Sequence, residues 1–200
     1  MFALVESGSI IKMLNGNKGI TIDGIQHPRA IYTLWTEAER NALGIYEVVF
    51  DDTNKKDERW YINTNQSYAF GSGKVTATYG TATAKAHADA NFTAQDETDG
   101  LGTEGELKSR GLKYKLIQDV KLEAANELAK TDWYVVRKSE ESTAIPSAIT
   151  THRRLVRSRQ AAMETSITNA SDTPALETLY TYTRDSDGVS SRPLAEIPIL

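Results

Sequence analysis

Apolar and polar residues alternate over much of the first 80 residues, then recur at helical spacing between 107 and 170. Phe2-Ala3-Leu4-Val5 and Ile10-Ile11-Lys12-Met13-Leu14 are apolar runs separated by Glu6-Ser7-Gly8-Ser9, which predicts a hairpin. Asn15-Gly16-Asn17-Lys18-Gly19 is another turn signal, because Asn and Gly adopt positive φ at low cost, and Ile20-Thr21-Ile22 reads as a short strand before Asp23-Gly24. Thr36-Glu37-Ala38-Glu39 has the form of a capping box, predicting a short helix that runs to Leu43 and stops at Gly44. Ile45 to Phe50 reads as a strand with Tyr46, Val48 and Phe50 on one face. Trp60-Tyr61-Ile62 and Gln66 to Phe70 read as two strands joined through Asn63-Thr64-Asn65, and Lys74 to Tyr79 alternates after the turn Gly71-Ser72-Gly73. Residues 1–80 are therefore expected to form a small antiparallel β module with one short helix. Its thin core is expected to lean on another domain or subunit.

Residues 81–106 change character. They are rich in Ala, Thr, Asp and Gly, and Asp89, Asp96, Glu97, Asp99, Glu104 and Glu106 are opposed only by Lys85. This composition predicts an acidic linker or extended arm, with Phe92 and Leu101 as its only sizeable apolar side chains. In 107–170, Leu112, Leu116, Val120, Ala124 and Leu128 recur every four residues, widened by Ile117, and predict a helix from Leu107 to Lys130. A second helix begins at Pro146 or Ser147, with Ile149, His152 or Arg153, Val156, Met163 and Ile167 as its stripe. The two stripes predict an antiparallel helical hairpin, with Trp133, Val135 and Val136 on the connection closing one end. In residues 171–200, Thr173-Pro174 caps a last short helix to about Tyr180, and the Pro-spaced tail from Arg184 to Leu200 is expected to be extended and ordered only by a partner. The fold class is α+β.

Charge and composition narrow the function classes only slightly. The formal charge of −4 points to no particular partner, and the absence of cysteine removes disulfides, thiolate metal sites and a cysteine nucleophile. No apolar run approaches the roughly 20 residues that cross a bilayer, and Met1 to Glu6 carries no basic region of the secretory kind. His27, His87 and His152 are far apart and none has a carboxylate at i+3 or i+4, so no metal site is expected. His152 reads as a packed helix residue, His87 as solvated and His27-Pro28 as a turn. Gly71-Ser72-Gly73 lacks the setting of a serine nucleophile, and the glycines around Leu101 form no phosphate loop. Asp51-Asp52-Thr53-Asn54 and Asp57 are oxygen-rich but lack EF-hand spacing. No catalytic residue, cofactor or metal is expected. Arg153, Arg154, Arg157 and Arg159 form the strongest charge feature, a candidate anion contact that could serve a nucleic-acid-binding packaging or regulatory protein; the bland alternative is a solvated face pairing with Glu140 and Glu141.

One stretch carries a family likeness. Lys130-Thr131-Asp132-Trp133-Tyr134-Val135-Val136-Arg137, followed by Glu140-Glu141, Ala144-Ile145-Pro146 and His152-Arg153-Arg154, resembles the carboxy-terminal region of tail-fibre assembly proteins of tailed bacteriophages. In that pattern an aromatic usually stands where this chain has His152. The opening Met1 to Ile11 and the segment Trp35 to Val48 are similar to phage proteins of the same type, while the linker and tail lie outside the likeness. The resemblance implies a non-enzymatic tail structural protein or fibre assembly chaperone. Its partners would be other phage tail or fibre proteins, in a homo- or hetero-oligomer, with no role for nucleic acid or membrane. Trp133, Ile145 and Pro146 match the motif and are expected either to touch a partner or to close the helical hairpin.

Overall fold

The computed structural model describes residues 1–200, which divide into two compact units, Met1–Thr83 and Ala84–Leu200. Strands β1 (Phe2–Glu6) and β2 (Ser9–Leu14) form the first hairpin, turned by Ser7 and Gly8 at φ 49° and 78°. A second hairpin, β3 (Ile20–Ile22) with β4 (Ile25–His27), turns through Asp23 and Gly24 at 48° and 79°. Both turns use paired positive φ, whose twist matches that of the flanking strands. Helix α1 (Glu37–Ala42) starts on the complete capping box: the Glu39 amide donates to Thr36 Oγ1 at 3.3 Å and the Thr36 amide to Glu39 Oε2 at 2.8 Å. That carboxyl is held below its usual range by the Thr36 amide first, then by its hydroxyl.

Strand β5 (Ile45–Asp51) follows, then β6 (Tyr61–Ile62), β7 (Ser67–Gly71) and β8 (Lys74–Thr78), with β9 (Thr83–Ala84) at the boundary. The main sheet has the order β2-β1-β5-β8-β7. Its pairs are antiparallel except β5 with β8, which run parallel with Val48 opposite Val75. The parallel pair arises because the β7–β8 hairpin, turned by Ser72 and Gly73, returns with β8 innermost. β6 has no place in this sheet, so the expected β6–β7 hairpin through Asn63-Thr64-Asn65 is replaced. Asn63 instead spends its amide on the 52–59 loop, bonding Lys56 N and O at 2.9 and 2.7 Å. Strand alternation separates two cores. Ala3, Val5, Val48, Val75 and Ala77 pack with Ile10, Met13, Tyr68 and Phe70 on one face; Leu4, Leu14, Ile31, Tyr32 and Ile45 pack with Phe2, Trp35 and Leu43 on the other. Tyr46 and Val48 share the first face as expected, but Phe50, beyond them, is half exposed.

In the second unit the expected linker is folded. Strands β10 (Ala90–Asn91) and β11 (Leu107–Ser109) pair around helix α2 (Ala94–Thr98), which has its own capping box from Thr93 and Asp96. Asp96 also holds Lys108 at 2.6 Å, and these bonds, Lys108 first, bring its pKa to about 2. Short hydrogen-bonded turns order this segment although its side chains are largely exposed, which composition alone does not reveal. The first long helix accordingly begins later than expected. α3 spans Leu112–Ala129, and Leu107 lies in β11. Gly111 precedes it because a Cβ there would sit 2.3 Å from the Ala88 carbonyl; Asp89 takes the Gly111 amide at 2.8 Å and Arg110 at 2.6 Å.

After α4 (Asp132–Glu141) comes α5 (Ser147–Asn169), which lies antiparallel to α3: Lys113 reaches the Thr168 carbonyl, Lys121 Glu164, and Glu127 His152. Leu116, Val120 and Ala124 are buried on α3, and Ile149, Val156, Met163 and Ile167 on α5. α6 (Thr173–Tyr180) is capped by Asp172 rather than Thr173, whose hydroxyl donates to the Lys85 carbonyl at 2.6 Å. The tail is also ordered by its own unit. β12 (Thr183–Arg184) pairs with β13 (Ser190–Ser191), and Leu194 and Ile197 are buried, with the Leu194 amide on the Leu179 carbonyl. The two buried apolar side chains supply the docking that the Pro-spaced composition hides. No helix is long and apolar enough to cross a membrane.

Candidate functional site

Where α3 ends and α5 begins, the apolar stripes give way to polar side chains. Glu127 follows Val120 and Ala124 at i+3 from the latter and is only 5% exposed. Its carboxylate bonds Lys130 Nζ, His152 Nε2 at 3.1 Å and the Leu200 amide at 2.8 Å. The Lys130 bond is the largest influence lowering its pKa. One turn on, α3 breaks and α4 starts. Thr131, fully buried, donates its hydroxyl to the Leu128 carbonyl at 3.0 Å and accepts from Arg153 at 2.7 Å. The same guanidinium nitrogen, Nη1, lies 2.8 Å from the Leu128 carbonyl and 2.8 Å from Asp132 Oδ1. Arg153 therefore ties the last turn of α3 to the first residue of α4, with charge-assisted bonds.

This geometry connects parts of the chain that the motif separates by twenty residues. Thr131 is buried against Arg153, Asp132 meets the same guanidinium from a largely exposed position, and Trp133 is half exposed. Trp133, Val135 and Val136 are 51%, 43% and 53% exposed, so they do not close the helical pair; Thr131 and Arg153 do. The reason is local: Asp132 is fixed by Arg153, and the next residue, Trp133, projects roughly 100° further round the helix. Trp133 stacks on Tyr134 with centroids 3.8 Å apart, and Arg137 lies over both rings at 4.7 and 5.4 Å. Its Nε is enclosed without a hydrogen-bond partner. α4 ends at Ser142 with φ 60°, Ile145 is half-buried, and Pro146 is exposed and caps α5.

The arginine cluster is divided. Arg153 is buried and paired with Asp132, not Glu140 or Glu141, so it is withdrawn from any anion contact; its place on the α5 stripe puts it there. Arg154, Arg157 and Arg159 remain exposed. His152 is half-buried against Glu127 as a packed helix residue, and His27 meets Trp35 edge-on at 5.9 Å. His87 is half-buried rather than solvated, its carbonyl receiving the Lys113 amide. Asp51 is committed to the Thr53 hydroxyl and amide at 2.6 and 3.0 Å, and Asp57 to the Arg59 amide at 2.7 Å. Glu127, Thr131 and Asp132 escaped the sequence reading as a functional unit. The available signal was a carboxylate at stripe spacing on one helix, opposite adjacent His and Arg on the other. No protein-family model, curated protein or solved structure matches the chain.

Proposed function

We propose that this chain is a non-enzymatic bacteriophage tail-associated structural protein, a tail fibre or baseplate component or a fibre assembly chaperone, acting through protein–protein contacts in the virion tail or in the infected host during assembly. The observation that carries the proposal is the division of labour within the motif. Thr131 and Asp132 are spent on fixing α4, and the fixed helix displays Trp133, Val135 and Val136 to solvent, with the half-buried Arg137 stacked on Trp133. An aromatic pair with a stacked arginine is the residue set that dominates binding at protein interfaces. Displaying it on a fixed helix reduces the ordering cost of association.

Mass spectrometry of purified virions tests the component version, and affinity capture of the chain from infected cells tests the chaperone version. Peptides of this chain in virions, or a tail fibre protein captured with it and lost from the Trp133→Ala variant, is the expected result. Absence from virions together with no captured tail protein overturns the proposal.

A further inference from the structure

The chain has one Asn–Gly pair, Asn15-Gly16, directly after β2 in the loop that leads to β3. Asn15 is exposed, and its side-chain amide bonds nothing else in the chain. The Gly16 backbone amide donates to nothing either. Gly16 lies at φ 68°, packed so closely under the first core that a Cβ there would sit 3.4 Å from the Phe2 ring and 3.5 Å from that of Tyr32. An electrophile, Asn15 Cγ, and a nucleophile, the Gly16 nitrogen, are thus neighbours in the chain with neither engaged elsewhere, and glycine has no side chain to shield its nitrogen. Other positions withhold one half of this pairing. In Asp99-Gly100 and Asp187-Gly188 the glycine amides are held by the Glu97 and Asp185 carbonyls at 3.0 and 3.1 Å. Those two pairs and Asp23-Gly24 also present a carboxyl group, which has no ammonia to expel. The Asn63 side chain is bonded at both ends to Lys56, and Asn54 donates to the Tyr79 carbonyl at 3.1 Å. Asn17, exposed in the same loop as Asn15, is followed by Lys18.

We propose that Asn15 is a site of spontaneous deamidation, through attack of the Gly16 nitrogen on Asn15 Cγ. The Gly16 N–H gives its proton to hydroxide, the N–Cγ bond forms, and the Cγ–Nδ2 bond breaks with loss of ammonia. Water then opens the succinimide ring at either carbonyl and leaves aspartate or isoaspartate at position 15. Nothing is oxidised or reduced: one water is consumed and one ammonia released. The product puts a negative charge into a cleft of about 360 Å³ whose lining holds Lys12, Lys18 and no acid. Isoaspartate also lengthens the backbone by a methylene, beside the buried Leu14 and the contact of Gly16 with Tyr32. The loop therefore changes its charge and its path with the age of the folded chain, and no enzyme is needed.

The test is incubation of the full chain at neutral and at mildly alkaline pH, followed by peptide mapping with mass spectrometry that reads the exchange of NH2 for OH and separates aspartate from isoaspartate. A parallel sample in guanidinium chloride gives the rate of the unfolded chain. Asn15 is expected to convert at least about tenfold faster than Asn17, and no more than about tenfold slower in the folded chain than in the unfolded one, a barrier difference of at most about 1.4 kcal/mol. The rate should rise with pH, and both products should appear. The Asn15→Gln variant, whose side chain closes a larger ring, should lose the fast conversion; circular dichroism establishes that it folds. Three results would each overturn the proposal: a folded chain that keeps Asn15 intact long after the unfolded chain has converted, an Asn17 that keeps pace with Asn15, or a fast conversion that survives in Asn15→Gln.

Discussion

The two units solve the same packing problem with different materials. The amino-terminal unit places apolar side chains on both faces of one sheet, and its interior is nearly all hydrocarbon: Ala3, Ile45, Val75 and Ala77 are fully buried. The carboxy-terminal unit begins in the same way, with Ala124, Val156 and Ile167 sealed between helices, but ends its helical pair on Glu127, Thr131, His152 and Arg153. A hydrocarbon interface is indifferent to which apolar residue fills it, provided the volume is kept. A polar joint fixes one geometry, because each buried group left unpartnered costs free energy. The difference teaches where the chain needs accuracy: at the break between α3 and α4, which sets the direction in which Trp133 points.

Core truncation should produce the largest effects and hit both units alike. Ile45→Ala in the first and Ile167→Ala in the second should each cost about 2–5 kcal/mol in denaturant unfolding, since both side chains are fully buried. If only one did, the claim of comparable cores would break. Arg153→Met should come next, at roughly 2–3 kcal/mol, because it leaves Thr131 and the Leu128 carbonyl buried with fewer bonds. A cost no larger than that of an exposed arginine would mean that the joint is not structural. Thr36→Ala and Thr93→Ala should each cost about 1 kcal/mol, one cap in each unit.

The Asp96 carboxylate gives a pH test of the second cap. Its folded pKa lies near 2, below the ordinary 3.8, so its stabilisation is complete above that ordinary value and declines as pH falls through the interval toward 2. The amide resonances of Thr93 and Asp96 should shift over that window, and the shift should vanish in Asp96→Asn. The smallest effect belongs to Trp133→Ala, below about 1 kcal/mol, because the ring is half exposed and its aromatic and arginine contacts, Tyr134 and Arg137, lie on its own helix. Unfolding measured beside a binding assay would separate display from packing at that position.

Elements with a strong local signal were legible. The Thr36 capping box, the turns at Gly8 and Gly73, the faces of α3 and α5 and the α+β class all follow from residues close together in sequence. Three features were not. The parallel β5–β8 pair depends on how two hairpins are arranged, and strand patterning carries no direction. The folded segment around α2 is built from backbone turns and an Asp at the third position of its capping box, under a composition that suggests a mobile arm. Of the two roles expected for Trp133, partner contact or hairpin closure, its half-exposed position does not fit closure, because apolar character does not say which side of a short helix is covered. That was settled by Asp132 meeting Arg153, two residues far apart in the chain.

The bond from Thr173 to the Lys85 carbonyl has a consequence for synthesis. It joins residues 88 positions apart, and the Leu200 amide meets Glu127 across 73. A growing chain can make every strand pair of the five-stranded sheet once residues to Thr78 have left the ribosome. The helical unit, by contrast, gains the Thr173 and Leu200 bonds only after all of α3 and α5 have been made. Synthesis from the amino end therefore presents the sheet for folding before the helices. The α4 surface is set once Arg153 has emerged to meet Thr131 and Asp132, well after the sheet is complete.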